Sequence, residues 1–272
     1  MALGALAGAG AFVDMRFLEP SGLKLSRVDV RLPRTRFPEP VRILHLSDMH
    51  ASDDVPDSFI RDAFELGLSC KPDLVCLTGD FYTQRIPDRD IYVASLKRLS
   101  DRCPCYACPG NHDGGSWVIP YGGYPNLGEL FDLLRASDVT VLHNSSETIR
   151  IRGTPIELVG LGDFWARETK PLAAFPSGGG DGAPARIVLA HNPDSKELLR
   201  AHAWDLMLCG HTHGGQLDLP LIGTPFAPIA DRRHVYGLNE WNGRLIYTTR
   251  GIGNLFSLRF NCRPEVALLN VT

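Results

Sequence analysis

Short apolar runs that break off into polar clusters recur along the chain: VRILHLS from Val41, DLVCLT from Asp73, PCYAC from Pro104, RIVLA from Arg186 and WDLMLC from Trp204. Their shortness and lack of alternation predict strands buried on both faces. Between the first three lie segments of helical character, Pro56 to Ser69 and Asp90 to Leu99. A further segment carries Leu127, Leu130, Phe131 and Leu134 at i, i+3, i+4 and i+7, the stripe of an amphipathic helix.

In the second half, TIRIR from Thr148 and PIELV from Pro155 flank Gly153, and VYGL from Val235 and RLIYT from Arg244 flank Asn242 and Gly243. Both read as hairpins. With EVALLNV from Glu265, these runs predict a second sheet. The expected fold class is α/β, two mixed β-sheets packed as a sandwich with helices on the outer faces. Residues 1–40 would form an apolar arm and a lead-in strand, and residues 41–272 a single domain. SGGGDG from Ser177 reads as a flexible surface loop.

At 272 residues and 44% hydrophobic content, the chain can bury a substantial core. Its 28 basic and 31 acidic residues leave a net charge of −3, which argues against long nucleic acid as a partner. Seven cysteines, with Cys70, Cys76 and Cys209 in apolar runs, point to a reducing compartment and a cytoplasmic location. Cys103, Cys105 and Cys108 supply too few sulfurs for a thiolate metal site, and buried strand thiols are the simpler reading. The apolar start, Ala2 to Val13, is too short to span a bilayer and lacks the basic start of a secretory signal. An interfacial anchor, the tail of a longer segment and a packed arm all remain open for it.

The polar clusters carry the chemistry. After the apolar runs stand SDMH (Ser47 to His50), TGD (Thr78 to Asp80), GNHD (Gly110 to Asp113), AHNP (Ala190 to Pro193) and CGHTH (Cys209 to His213). Strand ends of an open α/β sheet share one rim, so these donors can meet in space. Asp48 with His50, and His211 with His213, are i, i+2 pairs expected to project to one side of extended chain, and Gly79, Gly110 and Gly210 to let the backbone bend. His45, His143, His202 and His234 have no donor neighbours at useful spacing and read as structural or surface residues.

This order of D-x-H, G-D, G-N-H, H and G-H-x-H resembles the calcineurin-like metallophosphoesterase superfamily. GLGDFW from Gly160, HNPD from His191, GHTHGGQ from Gly210, RGIG from Arg250 and RPEV from Arg263 are similar to its membrane-associated YkuE/YaeI-type branch. That branch is similar to enzymes that cleave UDP-2,3-diacylglucosamine in lipid A synthesis. The resemblance implies a binuclear centre, with Asp48, His50, Asp80 and His213 on one metal and Asp80, Asn111, His191 and His211 on the other. It also implies that His112 donates a proton to the leaving oxygen.

Oxygen and imidazole donors without thiolate favour Mn²⁺, narrowly, over Fe or Zn²⁺. Such a pair of ions activates water for attack on phosphorus, so no protein nucleophile is required. Trp117, Tyr121 and Tyr124, in the glycine-flanked loop after GNHD, are expected to meet an apolar or base-stacking part of the substrate. Arg250 is a candidate phosphate clamp. The expected function is a phosphoesterase acting on a lipid-linked diphosphate at the periphery of the inner membrane. The rivals are a general or cyclic-nucleotide phosphodiesterase without lipid preference and a non-catalytic scaffold.

Overall fold

A computed structural model describes residues 13–35, 37–176 and 183–272. The apolar start, apart from Val13, and the SGGGDG stretch fall outside them. Two six-stranded mixed sheets form the structure, as expected. The first runs in the order β1 (Lys24–Val30), β12 (Glu265–Val271), β2 (Val41–Leu46), β3 (Leu74–Thr78), β4 (Cys105–Cys108), β5 (Thr140–Val141). The second runs β10 (Gly237–Trp241), β11 (Arg244–Thr248), β9 (Leu206–Cys209), β8 (Ala185–Leu189), β7 (Thr154–Gly160), β6 (Ser145–Ile151).

Both predicted hairpins form, as the antiparallel pairs β6–β7 and β10–β11. EVALLNV does not join them. As β12 it enters the first sheet, parallel to β1 and antiparallel to β2, which corrects its assignment to the second sheet. The run is apolar on both faces and suits a central position in either sheet; only its long-range partners choose between them.

Alternating side chains explain why the central strands look uniformly apolar. Ile43, Leu74 and Cys76 point into the core shared by the two sheets, where Leu158, Ile187, Leu206 and Leu208 meet them. Leu44, Leu46, Val75 and Leu77 point the other way, onto α1 (Asp57–Leu68), α2 (Arg89–Ser100) and α3 (Gly128–Ala136). Met207, Val188 and Trp204 form the outer layer of the second sheet. Among the described residues, that face carries the short helix α4 (Pro171–Ala174) and a 3₁₀ segment, Pro193–Leu199. Among the described residues, no helix is long and apolar enough to cross a membrane.

The parallel runs β2–β3–β4 and β8–β9–β11 bring their C-terminal ends to a common rim. The two sheets are joined there: His191, just past β8, places Nδ1 2.7 Å from the carbonyl of Thr78 at the end of β3.

Candidate metal centre

The residues that follow these strand ends converge. His50 Nε2 and His191 Nε2 lie 3.4 and 3.0 Å from Asp80 Oδ2, which makes that carboxylate the centre of the cluster. Asp48 Oδ1 stands 3.4 Å from His213 Nε2 and 4.0 Å from His191 Nε2. On the far side, His211 Nδ1 is 2.9 Å from Asn111 Oδ1 and 3.3 Å from His191 Nε2. All seven candidate ligands are buried.

The convergence does not use the expected geometry. Asp48, His50, Asp80, His211 and His213 all have left-handed backbone, with φ between 48° and 68°, so the i, i+2 pairs meet through sharp kinks and not along extended chain. Such conformations are costly for residues other than glycine, and they persist where surrounding structure over-determines them. Of the three glycines, only Gly79 bends the chain with a positive φ, +83°. Gly110 and Gly210 supply space: a Cβ would lie 2.3 Å from Asp80 Oδ1 at position 110 and 2.1 Å from Asp48 Oδ2 at position 210. Gly110→Ala is therefore expected to displace the Asp80 carboxylate and lower turnover by about 10²-fold, with metal content falling in parallel by elemental analysis.

The donor set fits divalent cations. Three overlapping groups each bring a ligand atom from every member within 4.8 Å of the others: Asp48, His50 and His213; His50, Asp80 and His112; and Asp48, Asp80 and His191. Among the described residues, no lysine or arginine forms an ion pair with Asp48 or Asp80, although burying carboxylates demands a counter-charge. Burial acts to lower the His191 ring, but Asp80 and Asp48 outweigh it and raise it well above its usual value, so positive charge is drawn to this point. Burial pushes His211 down to about 3 and holds His213 well below the ordinary range, favouring the neutral, ligating imidazole. Among the described residues, His213 Nδ1 is buried without a hydrogen-bond partner.

His112 stands beside the cluster. Its backbone N–H donates to Asp80 Oδ1 at 2.9 Å, and its Nδ1 lies 2.8 Å from the Thr83 carbonyl. That carbonyl can only accept, so Nδ1 carries the hydrogen and Nε2 is left for chemistry in the cavity that His112 lines. The cavity holds about 490 Å³. Asp80, Asn111, His211 and His213 form its floor, and Trp117, Trp165, Leu217, Phe226, Leu255 and Phe256 contribute apolar wall.

Trp117 meets the edge of His112 at 4.8 Å between ring centres, and Tyr121 packs on Trp117 at 5.2 Å. Of the four candidate substrate contacts, only Trp117 lines the cavity; Tyr121, Tyr124 and Arg250 do not. Tyr124 packs on Tyr82 beneath the Arg85 guanidinium, and Arg250 stacks on Tyr236 at 4.4 Å. Arg250 nevertheless stays next to the ligand loop, since a Cβ at Gly214, beside His213, would meet its Cγ at 2.7 Å.

Sequence reasoning missed three contributors. Asp113, fully buried, accepts from the backbone N–H groups of Asp80, Phe81 and Gly110 at 2.9, 2.7 and 2.7 Å and pins two site loops together. Its signal was its place at the end of GNHD. Arg259, also buried, donates to the carbonyls of Arg250, Gly251, Gly253 and Cys262. It holds the loop whose Gly253 N–H donates to the Asp48 carbonyl at 2.7 Å. No local pattern marks it. Trp165, within GLGDFW, sets its face or edge against His211 at 4.2 Å and a near-right angle. The four histidines read as structural stay out of the cluster; His45, lowered to about 3 by burial, lies 2.8 Å from Thr78 Oγ1. All seven cysteines are free, and burial raises the thiols of Cys105 and Cys108 well above their usual value, away from the thiolate form.

Fold and site together define a metal-dependent phosphohydrolase. Residues 41–215 match the family model for calcineurin-like phosphoesterase, and the chain belongs to that family. It is 44% identical over 269 residues to the phosphodiesterase YaeI of Escherichia coli (strain K12), covering 98% of this chain and 94% of that protein. It is 29% identical to the UDP-2,3-diacylglucosamine pyrophosphatase LpxG of Chlamydia muridarum, over 93% of this chain and 90% of the relative. The uncharacterized metallophosphoesterase YkuE of Bacillus subtilis (strain 168) is 27% identical, over 100% of this chain and 93% of the relative.

Proposed function

We propose that the chain hydrolyses a lipid-linked diphosphate of the UDP-2,3-diacylglucosamine type, at the cytoplasmic periphery of a membrane. The observation that carries this reading is the cavity: a floor of carboxylate, amide and imidazole donors opens directly into a wall of tryptophan, leucine and phenylalanine. A phosphate needs the floor and an acyl chain the wall. The pyrophosphatase relatives support the same substrate class, and seven free thiols support a reducing compartment.

Asp48, His50, Asp80 and His213 would hold one cation and Asp80, Asn111, His191 and His211 the other, Mn²⁺ being preferred over Fe or Zn²⁺ on donor type. When bound, two such ions supply an activated water and offset the charge that develops on the phosphoryl oxygens. His112 would act as an imidazolium, donating from Nε2 to the leaving oxygen with its Nδ1–H held by the Thr83 carbonyl; burial opposes that charged form and Asp80 favours it. Trp117 and Trp165 exclude water from the apolar half. The complete donor set weighs against a non-catalytic scaffold.

A phosphodiesterase without lipid preference is the second reading, favoured by the 44% identity to YaeI, which carries no lipid in its name. Truncating Trp117 and Tyr121 to Ala distinguishes the two. The lipid reading expects KM for UDP-2,3-diacylglucosamine to rise by about 10- to 100-fold per lost contact, with a small chromogenic diester spared. Equal losses on both substrates, or a wild type that turns over soluble nucleotides well and ignores the lipid-linked one in detergent, would promote the second reading.

A further inference from the structure

Beyond the cavity mouth, the same wall continues outward as exposed apolar surface. Leu219 and Gly223 exchange backbone hydrogen bonds at 2.7 and 2.8 Å and close a turn whose tip is Pro220, Leu221 and Ile222. Leu221 is 107% exposed and Ile222 69%. Leu221 also has φ +68°, a conformation that a bulky residue adopts only under constraint. On the adjacent loop, Phe256 repeats the arrangement, 81% exposed at φ +63°.

The two loops form one unit. Gln216 joins them, its side chain donating to the Leu255 carbonyl at 3.2 Å and accepting from the Leu255 N–H at 2.7 Å, while Asp218 N–H donates to the Phe260 carbonyl at 2.9 Å. Leu217 and Phe226, at the base of the first loop, and Phe256 also line the cavity, so both loops carry apolar side chains from their tips to the cavity wall. At the base, the Arg232 guanidinium donates to the Thr224 carbonyl and sets a cation behind the apolar tip.

We propose that this double tip inserts into the surface of an anionic lipid bilayer and seats the cavity mouth against it. An apolar tip backed by a cation matches the order of a membrane interface, hydrocarbon first and anionic headgroup behind. Backbone pairing between Leu219 and Gly223 lets the turn enter an apolar medium with those polar groups satisfied. A lipid-linked substrate would then pass from bilayer to metal floor along one apolar wall. The proposal rests on the lipid-linked reading above and assigns the surface that meets the membrane.

The test uses the full metal-loaded chain and vesicles of phosphatidylethanolamine and phosphatidylglycerol, without substrate. Wild type is expected to co-sediment, and the double variant Leu221→Ser/Ile222→Ser to lose about tenfold or more in partitioning, with hydrolysis of bis(p-nitrophenyl) phosphate unchanged, since neither side chain lines the cavity. Should the double variant fold poorly, Leu221→Trp alone is expected to gain tryptophan emission that brominated lipids quench. Absence of wild-type binding, unchanged partitioning of the double variant, or no added quenching would each overturn the proposal. So would a concentration-dependent dimer, seen by sedimentation velocity, that the same substitutions disperse while vesicles go unbound. Docking without cleavage of the lipid-linked nucleotide would sink the substrate reading alone; cleavage in detergent without docking would sink this one alone.

Discussion

Asp80→Asn is expected to abolish phosphoester hydrolysis more completely than loss of any single histidine, with metal content falling at both positions. The substitution is nearly isosteric. Asn retains an oxygen that can accept from the His112 N–H, now 2.9 Å from Asp80 Oδ1, so the local backbone has no reason to move. What changes is the other atom: Asp80 Oδ2, 3.4 Å from His50 Nε2 and 3.0 Å from His191 Nε2, becomes an NH₂ group. That group donates to imidazole lone pairs that would otherwise ligate, and it removes the charge that offsets repulsion between two cations. Thermal stability without metal should be little changed, whereas the rise in Tm on adding metal should shrink, because less ligand binds the folded state. Elemental analysis and a titration of Tm against Mn²⁺ check both parts. A variant that kept both ions and near-normal turnover would show that Asp80 does not bridge.

His112→Ala should lower kcat by about 10²- to 10⁴-fold, the range for a lost general acid, and leave metal content intact. The contrast with Asp80→Asn follows from position. His112 lines the cavity with its Nδ1 already committed to the Thr83 carbonyl, so removing the ring takes away the free nitrogen and few structural contacts. Its edge contacts with His50 and Trp117, at 4.8 Å each, are the main packing lost. Because proton donation is made chiefly in the transition state, KM should change less than kcat. The defect should shrink as the leaving group becomes more acidic. Equal defects across p-nitrophenyl and alkyl esters would leave His112 as a group that positions phosphate and transfers no proton.

Much of this site was legible along the chain because its signals are local. A buried strand needs a mainly apolar run, and a ligand at its end needs a polar residue close after. VRILHLSDMH and LVCLTGD state both conditions within ten residues. The three amphipathic helices were legible for the same reason, since a helix writes its buried face in the spacing of neighbours. Gly110 and Gly210 stood beside the donors in sequence as they do in space, although their purpose was close approach and not bending.

Tertiary structure decided what depends on distant partners. EVALLNV is apolar on both faces and would satisfy a central position in either sheet; it lies between β1 and β2 because the pairing, and not the pattern, chooses a strand's neighbours. The left-handed backbone at five of the seven candidate ligands is imposed by loops packed from both sheets, and no single residue type announces it. Arg259 looks like any surface arginine until four carbonyls close around it. The aromatic partners of Tyr124 and Arg250, Tyr82 and Tyr236, were likewise chosen by the fold. The apolar wall is assembled from Trp117, Trp165, Phe226 and Leu255, which lie on separate loops. The sequence by itself determined which donor groups stand at the strand ends, because that chemistry is written residue by residue. Only the fold decided the surface facing the substrate, because apolar contact is non-directional and belongs to whichever loops the two sheets bring together.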